Sequence, residues 1–326
     1  MRLGVAGCGR IAERGYVSAA LAAENVTIAG FADPDPTRLQ QCHELWARGG
    51  GEEAALLPSV GELLEVPIDL LVVAVPAAHH LRVAEEAATA GIPSLVEKPP
   101  APDLAEAEKL AGLNPPPFLA FNRRFLQGTE LRDQVPAEGW LELDLELRFR
   151  RDLWGAHESR DEALLDAGIH LIDLACHLTK SAPIAVRQAE IAPERATLEL
   201  ELSRARARIE CATDRSHREV VAVRDRSGKL VASSSWGGIG ARFGGLLGRP
   251  DPLVLSLQRQ LEAIEATGVS LMEPPHLLLQ QGNPRRPPVA TGNDGATAMA
   301  IVEATRRSAD LSGAEVTVAP LAGASP

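Results

Sequence analysis

The 326 residues carry 44 acidic against 33 basic side chains, for a net charge of −11. That length exceeds one ordinary core and predicts two domains. The acidic balance excludes a broad nucleic-acid or anionic-membrane surface, and no run approaches the roughly 18 apolar residues of a membrane span, so the expected partner is a small molecule.

In chain order, Arg2 to Ala6 reads as a strand buried on both faces, Gly7-Cys8-Gly9 as a tight turn, and Ile11, Tyr16, Ala19 and Ala20 fall at helical spacing beyond it. Gly7 suits a strained turn, Gly9 lets backbone N–H groups approach a pyrophosphate, and the helix start adds partial positive charge. Ala12 occupies the third position of this G-x-G-x-x-A pattern, where a methyl is small enough for helix-to-strand packing. A second apolar run, 26 to 32, ends in Asp33, placed to accept from an adenosine ribose. Its carboxylate repels a 2′-phosphate and favours NAD, while Arg38 nearby leaves NADP open.

Further strands are expected at 68–75, 93–97 and 117–121, with helices at 36–48, 79–90 and 103–112. This alternation describes a parallel sheet covered on both faces, the fold of a dinucleotide-binding domain. Lys98, in Val96-Glu97-Lys98-Pro99, stands at the carboxyl end of the strand expected at 93–97, where open parallel sheets hold their ligands. From residue 122 the pattern changes. Residues 140–150 alternate strictly, with Leu141, Leu143, Leu145, Leu147 and Phe149 on one face and charges on the other. Similar runs at 198–202, 204–210, 219–224 and 229–235 predict an α+β second domain with a large, mostly antiparallel sheet. Glutamates on one strand and arginines on the next are expected to pair across it. A loop is expected at 237–250, helices at 252–267 and 294–310, and a proline- and glycine-rich connection at 273–293. The domains are thus expected at 1–121 and 122–326.

Within Asp166 to Leu178, His170, Asp173 and His177 fall within about 60 degrees of one another on a helix. An aspartate four residues before a histidine can orient the imidazole and support its protonated form, which suits acid–base work near neutrality. His, Asp and His are also legitimate metal ligands, but a hydride-transfer enzyme with a lysine to polarise oxygen needs none, and no metal is expected. The four cysteines are far apart and expected as free thiols, and the absence of a charged-then-apolar leader predicts a cytoplasmic protein.

Together these stretches resemble the Gfo/Idh/MocA oxidoreductases. The resemblance is carried by Gly7-Cys8-Gly9-Arg10-Ile11-Ala12, Asp33, Val75-Pro76-Ala77-Ala78-His79-His80, Glu97-Lys98-Pro99, Asn122-Arg123-Arg124-Phe125, Gly168 to Asp173 and Thr291-Gly292-Asn293-Asp294-Gly295. It implies a Rossmann domain followed by a large-sheet domain that binds substrate and assembles into a homodimer or homotetramer. It implies Lys98, Asp173 and His177 as the catalytic group. Cofactor binding falls to Gly7, Cys8, Gly9, Arg10, Ile11, Asp33, Arg38, Val75, Pro76, His80, Glu97 and Lys98. Arg123, Arg124, Trp154 and His170, with Arg151 and Arg160, are candidates to line a substrate pocket beside the catalytic group. The implied activity is hydride transfer between NAD(P) and a secondary alcohol or ketone of a sugar, cyclitol or polyol. A ligand sensor without a reaction and a redox-neutral sugar enzyme are the alternatives. Two departures stand out: Ala77 replaces a frequent Asn, and Arg160-Asp161-Glu162-Ala163 stands where a glycine pair is frequent.

Overall fold

The structure is a computed structural model and describes residues 1–154, 161–237, 251–267 and 289–321. The chain divides into two compact units, Met1–Phe125 with Asp251–Gly295, and Leu126–Pro250 with Ala296–Pro326.

In the first unit β1 (Arg2–Ala6), β2 (Thr27–Ala32), β3 (Ala55–Leu57), β4 (Leu70–Val73), β5 (Ser94–Val96) and β6 (Phe118–Leu119) form a parallel sheet in the order β6-β5-β4-β1-β2-β3. This is the doubly wound order, with its switch point between β1 and β4. The connections are α1 (Val17–Ala22), α2 (Pro36–Arg48), α3 (Val60–Leu64), α4 (His80–Thr89) and α5 (Leu104–Ala111). Side chains start three of them: Asp35, Ser59 and Asp103 each accept from a backbone N–H in the first turn. β4 is buried end to end and β1 from Leu3 onward, as their apolar sequence requires.

The expected cut at residue 122 is corrected. The turn Asn122–Phe125 and the helix Pro252–Ala266 belong to the first unit. Leu257, Leu261 and Ile264 of that helix enter the same core as Leu3, Val5 and Tyr16. Gln260 donates to the Leu119 carbonyl at 2.8 Å and Arg259 to that of Phe125 at 3.0 Å. An amphipathic pattern shows that a helix has an apolar face but not which sheet receives it. The short strand Ala290–Thr291, which falls within the expected connection, pairs antiparallel with β6. Of the loop expected at 237–250, Gly237 ends a strand, and the rest, like 273–288 of the expected connection, lies outside the described residues.

In the second unit β7 (Leu141–Arg150), β8 (Pro183–Ala192), β9 (Arg195–Leu202), β10 (Ala205–Ala212), β11 (Asp214–Asp225) and β12 (Leu230–Gly237) form a sheet in the order β12-β11-β7-β10-β9-β8, extended past β8 by Val316–Thr317. Only β7 and β10 run parallel among the described pairings, so the mostly antiparallel sheet expected is the one observed. The four leucines of β7 are buried and its acidic residues face outward. Arg206 and Arg208 stand opposite Glu201 and Glu199 in register, while Arg187 of β8 approaches those glutamates from the other side at 3.8 and 3.3 Å. β8 was not expected because a left-handed Gln188 and a register shift break its alternation. The helices α6 (Gln127–Arg132) and α7 (Ile169–Thr179) also lie in this unit, and helix Gly292–Asp310 enters it at Ala296.

Candidate active site

The first unit builds its site at the carboxyl ends of β1, β2, β4 and β5. Gly7 has φ +92°, and a Cβ there would lie 2.6 Å from the Ala74 carbonyl oxygen. Only glycine satisfies both the left-handed backbone and that close approach. Its N–H donates to the Ala32 carbonyl at 2.8 Å, which binds the turn to β2. At Gly9 a Cβ would meet nothing within 4 Å, so the turn leaves an open face at the residue expected to meet a pyrophosphate. Arg10 and Ile11 are half-buried beside it, and Pro76 and Val75 form a partly exposed rim on the loop after β4.

Asp33, at the end of β2, accepts from the Cys8 N–H at 2.8 Å and from the Asp35 N–H at 2.9 Å. Both carboxylate oxygens are thereby oriented, and each keeps a lone pair for a ribose hydroxyl. Arg38 is exposed and lies 3.5 Å from Asp35. Cys8 and Cys42 are buried free thiols, and the hydrogen bond between them, followed by burial, pushes the Cys8 thiol far above its ordinary range. Cys8 therefore contributes its backbone to the site rather than a reactive sulfur.

Lys98 is half-buried directly after β5. Glu97 beside it is buried, which pushes its carboxyl up despite the opposing Tyr16 hydroxyl and Lys98 charge. The Tyr16 hydroxyl donates to Glu97 Oε1 at 2.8 Å, and burial followed by that carboxylate pushes the phenol up in turn. His80, expected to bind cofactor, is instead buried beneath the loops: Nδ1 lies 3.0 Å from the Pro99 carbonyl oxygen and Nε2 lies 2.8 Å from that of Val75.

Arg124, expected in the substrate pocket, is buried in an ion pair with Asp294 at 2.9 Å. Asp294 Oδ2 also accepts from the Thr291 N–H and hydroxyl at 2.7 and 3.0 Å. Gly292 is needed there because a Cβ would lie 2.7 Å from the Ala111 Cα. The Asn-Arg-Arg-Phe and Thr-Gly-Asn-Asp-Gly motifs thus lock to each other and to the β6 edge. Arg123 is half-buried in the same turn. Burial pushes the Asp294 carboxyl up, but the Arg124 guanidinium and the Thr291 donors outweigh it and hold it below its ordinary value. A carboxyl whose pKa is lower folded than unfolded stabilises fully above its unfolded value and loses that stabilisation as pH falls through its folded one. Asp294→Asn is expected to cost about 2–3 kcal/mol at neutral pH, less than a wholly buried pair because the Asp294 side chain is 37% exposed. Urea unfolding should show this difference at pH 7 and a smaller one near pH 3.

In the second unit α7 follows one wide π turn, Leu164–Gly168. A Cβ on Gly168 would lie 3.0 Å from Leu164 Cδ1 and 3.2 Å from Cys211 Sγ, so the helix entrance is closely packed. His170 and Asp173 are buried and His177 is half-buried toward the last turn. The helix therefore presents its three ionisable groups on one stripe, the most accessible being the one expected to move a proton. Arg151 is held by Asp166 at 2.8 Å, which explains it as a local ion pair. Trp154 ends a short turn, with its side chain outside the described residues, as is all of Arg160. Among the described residues no group of three or more His, Cys, Asp or Glu is arranged to hold a metal, and no helix is long and apolar enough to cross a membrane.

A left-handed glycine turn, an oriented carboxylate at the second strand end and a switch-point sheet are the features of a Rossmann-like domain. Residues 1–114 match the family model described as the oxidoreductase family with an NAD-binding Rossmann fold. Over that stretch, about a third of the chain, it is similar to the Gfo/Idh/MocA oxidoreductases. It is 29% identical over 185 residues to YceM of Salmonella typhimurium, covering 55% of this chain and 56% of that protein. The matched part thus spans little more than half of that relative. In fold the chain is similar to scyllo-inositol dehydrogenase from Lactobacillus casei, solved with NAD(H) and scyllo-inositol, with a TM-score of 0.70 and 16% identity over 98% of this chain and 99% of that one. It is likewise similar to the WlbA dehydrogenase from Bordetella pertussis, solved with NADH and UDP-GlcNAcA, with a TM-score of 0.69 and 19% identity over 98% and 99%.

Proposed function

We propose that the protein is an NAD-dependent dehydrogenase or reductase acting on a secondary alcohol or ketone of a sugar, cyclitol or related polyol. The observation that carries the reading is the Gly7 to Asp33 cradle, with Lys98 at the end of the adjacent β5. The cradle fits the cofactor because Gly9 leaves open space and Asp33 is pre-oriented. NAD, when bound, supplies the acceptor for a hydride from the substrate carbon. In this reading His177 takes the hydroxyl proton, Asp173 orients the imidazole, and Lys98 stabilises negative charge developing on the substrate oxygen. The named ligands of the inositol and UDP-sugar dehydrogenases with this fold support the polyol class.

Purified protein screened with NAD and NADP against a polyol and sugar panel tests this. Net NADH formation, with NAD preferred over NADP, supports the reading. Cofactor binding without conversion of any substrate points to a sensor, and product without net NADH to redox-neutral chemistry. The sheet of the second unit is proposed to mediate a homodimer or homotetramer, which a monomer mass by light scattering at micromolar concentration would contradict.

A further inference from the structure

We propose that Tyr16 and His80 are positioning residues for Lys98, each tying one flank of Glu97-Lys98-Pro99 to a different loop of the dinucleotide site. The inference rests on the reading of Lys98 as the group beside the reacting oxygen.

On one flank, Tyr16 sits on the turn Ala12–Tyr16 that follows the glycine loop, and its hydroxyl reaches Glu97, 81 residues away. The other oxygen of Glu97 accepts from the backbone N–H of Lys98 at 3.1 Å. A continuous chain of hydrogen bonds therefore runs from the helix that carries the glycine loop to the main chain of the lysine. On the other flank, His80 opens α4 immediately after the Val75–Pro76 loop. Its ring stands between the Val75 carbonyl and those of Pro99 and Pro100, the latter at 3.3 Å, donating its N–H to one side in either neutral tautomer and to both sides as the imidazolium.

A merely structural role explains this arrangement poorly. A buried phenol–carboxyl pair and a buried imidazole gain little stability over apolar residues of similar size, because each polar group must first lose its water. They do fix direction, which apolar packing does not, and both flanks of the one lysine are fixed in this way. The side chains come from the two segments that edge the cofactor cradle. Their geometry thus sets the Lys98 main chain relative to the cradle, and an ångström-scale drift of a reacting group costs about 100-fold in rate.

The test compares intact protein with Tyr16→Phe, His80→Gln, His80→Ala and Lys98→Met, saturated with NAD and supplied with the polyol found by screening. The Tyr16 variant and both His80 variants are expected to lose about 10- to 100-fold in kcat with little change in KM or NAD affinity, since they displace a group rather than remove a binding contact. Added imidazole should restore part of the kcat of His80→Ala. Thermal melting reports folding, and because the ties lie on opposite flanks, either variant carries the test if the other does not fold. Unchanged kcat in Tyr16→Phe and His80→Gln, with Lys98→Met inactive, overturns the inference and leaves the proposed function standing. Wild-type turnover in Lys98→Met overturns both.

Discussion

Lys98→Ala and His177→Ala are each expected to bind NAD as the intact chain does and to lose about 100- to 10,000-fold in turnover, the usual cost of removing a positioned acid–base or charge-stabilising group. The two changes act on different units of the fold. Lys98 follows β5 in the Rossmann unit, whereas His177 sits near the end of α7 behind a closely packed entrance. Neither is wholly buried, so truncation leaves the cores of both units intact. Loss of turnover with retained NAD affinity, read by cofactor titration and by NADH formation on the same preparations, assigns the two residues to the reaction. Wild-type turnover in both variants rejects the assignment.

Gly7→Ala is expected to abolish NAD binding and to lower the melting temperature. An alanine at φ +92° carries the left-handed penalty of about 1–2 kcal/mol, and its methyl would sit 2.6 to 2.8 Å from the Ala74 carbonyl and the Val75 nitrogen. Backbone cannot yield as a flexible side chain can, so the loop between β1 and its helix must move. Gly9→Ala is the informative partner, because its methyl meets nothing within 4 Å in the free chain. That variant should melt like the intact protein yet bind NAD more weakly, the methyl standing where the pyrophosphate approaches. Calorimetric titration and thermal melting of the pair separate a folding defect from a binding defect. Equal NAD affinity in Gly9→Ala would contradict the placement of the cofactor.

The buried parallel strands and strictly alternating β7 were legible because their periodicity is a direct consequence of which faces lose water. Gly7, Asp33 and Lys98 were legible for a different reason: each stands at a strand end where chain order alone determines its place in a doubly wound sheet. What sequence could not supply was the partner of each polar group. His80 sits in a motif beside the cofactor loops, and only the fold shows its ring turned inward onto the carbonyls of Val75 and Pro99. Arg124 looked like a substrate ligand because an arginine in a motif invites that reading, yet its carboxylate lies 170 residues further on in Asp294. The domain division failed on the same ground: a helix returning after residue 250 to complete the first core leaves no local sign of its destination. The Tyr16–Glu97 hydrogen bond was equally hidden, since a tyrosine at helical spacing reads as packing.

The proposed function requires that a substrate carbon deliver hydride to NAD, the step on which the proposed roles of Lys98 and His177 depend. Oxidation of a polyol deuterated at the reacting carbon, followed by NMR of the recovered cofactor, tests it most directly. The account predicts deuterium at C4 of the reduced nicotinamide, in amounts matching the ketone formed. Ketone formed with no deuterium in the nicotinamide, from enzyme saturated with NAD, would contradict it.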